Sequence, residues 1–156
     1  MQLLLISNST MPGEPFFTWP RAHAQSFLDG RSRIAFVPFA AVEAQYDAYA
    51  DRVAEVFSSF GKDFFSLHRE TDPAKALASA DAIAVGGGNT FLLIRALYRK
   101  NLVRPIAEKV RNGMPYIGWS AGANVACPTV MTTNDMPIVE PPSMRALHLV
   151  PFQINP

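Results

Sequence analysis

Short apolar runs recur along this chain, and most are followed by a polar or glycine-rich segment. The runs cover residues 3–7, 33–39, 64–68, 81–86 and 114–119. Runs of this length without polar alternation are typical of strands that are covered on both faces, as in a parallel sheet. The pattern therefore predicts five buried strands.

Segments with helical periodicity lie between these runs. The clearest covers residues 42–60, where apolar side chains recur at spacings of three and four before Gly61 ends the helix. Further helices are predicted at residues 16–27, 73–79, 91–98, 102–111 and 121–126. Alternating strands and helices predict an α/β fold in which helices flank a mostly parallel sheet on both faces. At 156 residues the chain is expected to form a single domain, residues 1–156.

The composition argues against several classes of function. A net charge of +1 with 17% charged residues gives no basic surface for nucleic acid. No apolar run approaches the ~18 residues that would span a bilayer, and residues 1–6 lack the features of a signal peptide. The single cysteine, Cys127, cannot form an internal disulfide and is expected to be a buried structural thiol. We therefore expect a cytoplasmic protein.

Candidate chemistry begins at the fifth apolar run, which leads into Gly118-Trp-Ser-Ala-Gly122. The pattern G-x-S-x-G marks a strained strand-to-helix turn that exposes a serine hydroxyl above a sheet. Glycines are needed there because side chains at either position would collide with their neighbours. Ser120 is thus the predicted nucleophile, and the Ala121 N–H is a predicted oxyanion donor. The alternative is a chance match in a glycine-rich loop.

The second candidate feature is the glycine run at residues 86–90, which follows the fourth predicted strand. It lacks the third glycine of a dinucleotide-binding fingerprint and the Gly-Lys-Ser/Thr ending of a Walker A loop. What remains is a cradle of backbone N–H groups before a helix, suited to an oxyanion or carboxylate. Gly88 and Asn89 are the predicted binding residues, provided that this strand lies beside the Ser120 strand. The alternative is an ordinary tight turn.

Asp135 is the candidate acid, because it follows the serine and sits in a polar loop between apolar segments. A triad in the order serine, acid, histidine would use it. An Asx-type turn residue is an equally good interpretation.

Six ordered blocks of the sequence together resemble the aspartyl dipeptidase (peptidase E) family. These blocks are LLLISNST at 3–10, VPFA at 37–40, GGGNTF at 86–91, GWSAGAN at 118–124, TTNDMP at 132–137 and QINP at 153–156. The family consists of serine peptidases with a flavodoxin-like fold of the class I glutamine amidotransferase type. The resemblance implies a cytoplasmic enzyme that cleaves dipeptides with N-terminal aspartate, without metal or cofactor. It implies Ser120 as nucleophile, Gly88 and Ala121 as oxyanion donors, and Asp135 as important for activity.

The sequence departs from the family after the last block, where the family continues with its catalytic histidine. Here the chain stops at Pro156, so it resembles the N-terminal two-thirds of the family's domain. None of the three histidines, His23, His68 and His148, matches a catalytic position. A strand is also predicted at residues 147–152, and a native domain seldom ends four residues after an apolar strand. We expect the 156-residue chain alone to be nearly inactive.

Several alternatives remain open from the sequence. One is a serine peptidase of the same fold with another specificity, such as a cyanophycinase-like enzyme acting on β-linked aspartyl polymers. Another is a non-catalytic homologue that binds a small carboxylate or a partner. A separate second chain could carry the missing histidine, and a homo-oligomer is possible. A small dipeptide is the expected substrate, with no nucleic acid and no membrane involved.

Overall fold

The computed structural model describes residues 1–156 and contains one five-stranded sheet. The strands are β1 (Leu3–Ile6), β2 (Arg33–Val37), β3 (Asp63–Ser66), β4 (Ala82–Val85) and β5 (Tyr116–Trp119). Their order is β1-β5-β4-β2-β3, and every neighbouring pair is parallel. The five predicted strands and the parallel sheet are confirmed.

Five helices lie between the strands, and a sixth follows β5. They are α1 (Arg21–Phe27), α2 (Tyr46–Ser58), α3 (Pro73–Ala76), α4 (Thr90–Arg99), α5 (Val103–Arg111) and α6 (Ala121–Asn124). The predicted helix at 42–60 begins later than expected, because a 3-10 turn at Glu43–Gln45 precedes α2. The first helix is also shorter than its apolar stripe. Phe17 has a positive φ of 62°, and Pro20 disfavours helical backbone at the residue before it.

Helices cover both faces of the sheet, as the continuous apolar runs predict. On one face, α1 and α2 pack on alternate strand residues such as Ile34, Phe36 and Trp119. On the other, α4, α5 and α6 pack on the intervening residues, including Val37 and Val85. No helix in this structure is both long and apolar enough to cross a membrane.

The prediction of a strand at residues 147–152 is wrong. This segment is irregular, and the Leu147, His148 and Leu149 amides donate to carbonyls of residues 125–127, just after α6. His148 takes a positive φ of 51°, which breaks an extended run. Leu147, Leu149 and Val150 are still buried, whereas Phe152 is exposed, so the first part of the segment covers the core without joining the sheet.

The strand order places two loops side by side. Because β4 and β5 are parallel neighbours, with Val85 opposite Gly118, their carboxyl ends meet at one edge of the sheet. The glycine run leaves β4 at this edge, and Ser120 leaves β5 there. The predicted adjacency of the two loops is confirmed.

Candidate active site

Ser120 stands at the turn between β5 and α6. Its backbone has φ 51° and ψ −117°, a conformation that costs a non-glycine residue free energy and is found mainly at functional turns. The turn is held on both sides: the Ser120 N–H donates to the Ile6 carbonyl at 2.9 Å, and its carbonyl accepts from the Ala123 and Asn124 amides. The side chain is part-exposed.

The glycines on either side of Ser120 are required by close backbone contacts. A Cβ on Gly122 would lie 2.1 Å from the Val85 carbonyl oxygen, and one on Gly118 would lie 2.4 Å from the Gly122 oxygen. These oxygens belong to backbone that cannot rotate away. The strand-to-helix turn at residues 118–122, called the elbow below, therefore packs against the end of β4, which fixes Ser120 relative to the glycine run.

The glycine run comes within van der Waals distance of the serine. A Cβ on Gly87 would lie 2.9 Å from the Ser120 Cβ, so the two loops touch. Gly88 has φ 138°, and a Cβ there would lie 2.4 Å from the Ala40 oxygen. Only glycine fits at Gly88, because both the backbone angle and the available space exclude a side chain.

Several backbone amides at this edge have no acceptor within the chain, among them two next to Ser120. Neither the Gly88 N–H nor the Ala121 N–H donates a hydrogen bond to another residue. Ser120 and Gly88 line one open cavity of about 360 Å³. Its other lining residues are Asn8, Ser9, Thr10, Phe16, Tyr49, Arg52, Gly87 and Trp119. A serine hydroxyl and the unpaired Gly88 amide in one cavity, with the Ala121 amide directly after the serine, are the parts that acyl transfer requires.

Tyr49 and Trp119 form the floor of the cavity. The Trp119 indole N–H donates to the Tyr49 hydroxyl at 2.9 Å, and that hydroxyl packs against Gly86, where a Cβ would lie 2.6 Å away. Burial raises the pKa of Tyr49 to about 12, so the phenol is neutral at ordinary pH. The pair therefore connects α2, the glycine run and β5 next to the serine.

Asn89 caps α4. Its side-chain oxygen accepts from the Phe91 and Leu92 amides, and its side-chain nitrogen donates to the Met136 carbonyl at 2.8 Å. Its backbone N–H donates to Ala40. These bonds fix the end of the glycine run. A role for Asn89 in substrate binding stays a prediction.

Asp135 lies at the same helix end. One carboxylate oxygen, Oδ2, accepts from the Thr90 amide at 2.6 Å and from the Thr133 hydroxyl at 3.1 Å. The other oxygen, Oδ1, accepts no hydrogen bond within the chain. Asp135 therefore binds the first amide of α4 through Oδ2, while Oδ1 remains free to accept a hydrogen bond. Its catalytic role stays a prediction.

None of the three histidines lines the Ser120 cavity. His23 and His148 are exposed, on α1 and in the irregular segment that follows residue 146. His68 lies in a 3-10 turn after β3, where Nδ1 is 2.7 Å from the Ser66 hydroxyl and Nε2 is 3.1 Å from Asp47. This arrangement has the members of a triad, but Ser66 is buried, with 3% of its surface exposed.

Sequence reasoning missed several residues of the cavity, including the two on α2, Tyr49 and Arg52. The helical stripe of α2 assigned Tyr49 to the core, and its ring is indeed packed there, although its hydroxyl reaches the glycine run. Arg52 is exposed and three residues further along α2. Their i, i+3 spacing could have placed both on one face, although not beside Ser120. Cys127 is buried, as predicted.

The model of one protein family, described as peptidase family S51, matches residues 3–156.

The chain belongs to peptidase family S51.

Relatives with the name peptidase E share about half of the residues of this S51 chain. Peptidase E of Nostoc sp. is 50% identical over 156 residues, which are 99% of this chain and 64% of the relative. Peptidase E of Salmonella newport is 48% identical over the whole chain and 68% of its own length. The chain therefore spans about two thirds of the length of these relatives, and the predicted resemblance is confirmed.

Solved structures support the fold of the S51 chain. A Listeria monocytogenes EGD-e protein, provisionally assigned to peptidase E, superposes with a TM-score of 0.78 at 27% identity. The match covers 97% of this chain and 76% of that one. A peptidase from an acI-B1 actinobacterium shares the fold, with a TM-score of 0.64 at 20% identity over 82% of this chain and 57% of the other.

Proposed function

We propose that this chain supplies the nucleophile and the oxyanion donors of a serine dipeptidase that hydrolyses dipeptides with N-terminal aspartate. The observation that carries the proposal is the strained Ser120 elbow, which shares an open cavity with Gly88 and lies next to two amides without acceptors. Membership of family S51 and the name of its relatives support the substrate class.

The reaction is acyl transfer to water. Ser120 Oγ attacks the peptide carbonyl carbon while a general base takes its proton, and the Gly88 and Ala121 amides hold the resulting oxyanion. The C–N bond then breaks as the base returns the proton to the leaving amine. Water enters, loses a proton to the same base and releases the aspartate from the serine ester. Each oxyanion donor is expected to contribute about 10²–10³ in rate.

The base is proposed to be a histidine outside these 156 residues. No histidine lines the cavity, and the relatives extend well beyond the part that this chain matches. Such a histidine can come from a continuation of the same polypeptide or from a second chain. Without it, oxyanion donors and binding alone give a residual rate of about 10³–10⁴ over water.

Asp135 is the proposed partner of that histidine. Its free oxygen, Oδ1, is available as an acceptor, while Oδ2 is held by Thr90 and Thr133. A carboxylate fixed in this way can orient an imidazole and stabilise its charged form. The competing interpretation is that Asp135 only caps α4, and the conservative amide substitution separates the two roles.

A cytoplasmic location is part of the proposal. It is supported by the single, buried and unpaired Cys127, which is typical of proteins in a reducing compartment.

The proposal is tested by adding the missing part. The chain is combined, as a fusion or in trans, with the part of Nostoc peptidase E that it does not match, and hydrolysis of Asp-Leu is measured. We expect hydrolysis from the combination, very little from the 156-residue chain alone, and none with Ser120→Ala. Asp-Leu cleavage that survives Ser120→Ala would refute the mechanism. Cleavage only of β-linked aspartyl polymers would favour the cyanophycinase-like alternative.

A further inference from the structure

The Ser120 cavity has a single charged lining residue, Arg52. The remaining lining side chains are polar, aromatic or absent, and no carboxylate lines the cavity. A cavity with one cation and no anion favours an acidic ligand group over a neutral or basic one.

Arg52 has no acidic partner within the chain. None of the five ion pairs in the structure includes it. On the same helix, Asp47 and Asp51 both pair with Arg69, Asp51 at 2.8 Å, and Glu55, three residues after Arg52, forms no ion pair with it. Arg52 therefore keeps its guanidinium N–H groups free of any ion pair within the chain.

The Arg52 guanidinium is nevertheless held in position. Its Cζ lies 4.2 Å from the centroid of the Phe16 ring, within the range of a cation–π contact. Phe16 also lines the cavity, so the contact keeps the guanidinium at its wall. A guanidinium stacked in this way can still present its N–H groups to a carboxylate in a bidentate arrangement.

We propose that Arg52 binds the side-chain carboxylate of the substrate's N-terminal aspartate and so determines specificity for that residue. The inference rests on the proposed function, because it takes Ser120 to attack the aspartate carbonyl. The side chain next to that carbonyl must lie in the cavity that adjoins Ser120. Asn8, Ser9 and Thr10 line the same cavity and provide further polar groups.

The expected effect is a loss of discrimination between aspartate and asparagine at the N-terminal position. Charge-assisted hydrogen bonds are among the stronger ones in proteins, but Arg52 is exposed to solvent, which weakens its interaction. We therefore expect Arg52→Gln to reduce the preference for Asp-Leu over Asn-Leu about tenfold. Arg52→Lys keeps the charge but not the bidentate geometry and should retain part of the preference.

The test is an NMR titration of the 156-residue chain with Asp-Leu, Asn-Leu and Asp-Leu amide, which detects weak binding without turnover. Arg99→Gln is the matched control, because Arg99 is exposed, forms no ion pair and lies on α4 away from the cavity. This control should leave all affinities unchanged. The exposed position of Arg52 predicts that its variants fold normally, which circular dichroism checks.

Three outcomes would overturn the proposal. The first is that the unsubstituted chain does not bind Asp-Leu, and the second is that Arg52→Gln keeps its preference for Asp-Leu over Asn-Leu. The third is that Arg52→Gln loses only the ability to distinguish Asp-Leu from Asp-Leu amide. The last would mean that Arg52 binds the C-terminal carboxylate. Hydrolysis by the chain combined with the missing part tests the catalytic proposal separately. If Arg52→Gln removed the preference but the combination showed no Ser120-dependent hydrolysis, the binding site would stand and the proposed function would fail.

Discussion

Two regions at the same edge of the sheet contain a serine, and they differ in what surrounds it. Ser66 has a complete set of partners, since its hydroxyl is 2.7 Å from His68 and His68 is 3.1 Å from Asp47. Ser120 has no histidine in its cavity. By its hydrogen-bond partners alone, the Ser66 cluster would be taken for the active site.

The backbone and the exposure of the two serines point the other way. Ser66 has an ordinary extended conformation, with φ −107° and ψ 128°, and its side chain is buried. Ser120 has a strained backbone, an open cavity and two amides without acceptors beside it. A nucleophile must reach a carbonyl whose developing charge is stabilised. From this comparison we infer that the strained turn, and not an adjacent histidine, distinguishes the proposed nucleophile.

The largest predicted effect separates the two serines. In the chain combined with the missing part, Ser120→Ala should reduce kcat for Asp-Leu by about 10⁶, as loss of a triad serine does in a well-studied protease. Ser66→Ala and His68→Ala should leave kcat nearly unchanged, because neither residue lines the cavity. A large loss of activity in a folded Ser66→Ala variant would reverse the comparison.

Substitutions of Asp135 and Asp47 should differ almost as much in their effect on kcat. Asp135→Asn keeps an oxygen that can accept from Thr90 but removes the charge that would orient the histidine. We expect kcat to fall by roughly 10³–10⁴, with the folding midpoint little changed. Asp47→Asn should leave kcat unchanged. If Asp135→Asn retained full activity, Asp135 would be only a helix cap.

The strain that distinguishes Ser120 depends on its neighbouring glycine. Gly122→Ala would place a Cβ 2.1 Å from the Val85 oxygen, so we expect a loss of about 3 kcal/mol or more in the free energy of unfolding. Gly61→Ala is the control, because Gly61 also has a positive φ, 73°, but faces open space. It should cost only about 1–2 kcal/mol. Urea denaturation measures both, and equal losses would contradict the tight packing of the elbow.

Removal of the Tyr49 hydroxyl should lower the free energy of unfolding by a smaller amount. Tyr49→Phe leaves the Trp119 indole N–H without its acceptor, at a cost of about 1–2 kcal/mol. Tyr98→Phe also removes a hydroxyl hydrogen bond, to the Arg145 carbonyl, but in an exposed position. It should cost less. A Tyr49→Phe variant as stable as the original chain would show that the hydroxyl contributes nothing to this floor.

The smallest predicted effect is an acid-dependent one in the Ser66 cluster. Hydrogen bonds from Arg69 and then from His68 lower the pKa of Asp47 in the folded chain. A lowered pKa contributes stability above the ordinary aspartate pKa of about 3.9, and this stability is lost as the pH falls through the folded value. The difference between the urea midpoints at neutral and at acid pH should therefore be larger for the original chain than for Asp47→Asn. Identical pH profiles would contradict this linkage.

The sequence predicts most of the fold and the strained turn that carries Ser120, because both depend on local patterns. Apolar runs placed all five strands, and the pattern around Ser120 identified the elbow whose glycines prove to be tightly packed. An Asn directly before an apolar helix is also a local signal, and it could have identified Asn89 as a cap.

The remainder depends on contacts between distant segments. Residues 147–152 are apolar enough for a strand, but their amides bond to the segment after α6, which no local pattern reveals. Arg52 reaches the cavity only because the carboxyl ends of the central strands bring the serine loop towards α2. Periodicity indicates which face of a helix is exposed, but not which loop that face meets.

The most direct test of the central claim is the site of covalent labelling. The chain combined with the missing part is treated with a fluorophosphonate probe, digested and mapped by tandem mass spectrometry. We predict an adduct on Ser120, absent after Ser120→Ala, and none on Ser66. An adduct on Ser66, or labelling of the active combination at a residue other than Ser120, would contradict the account.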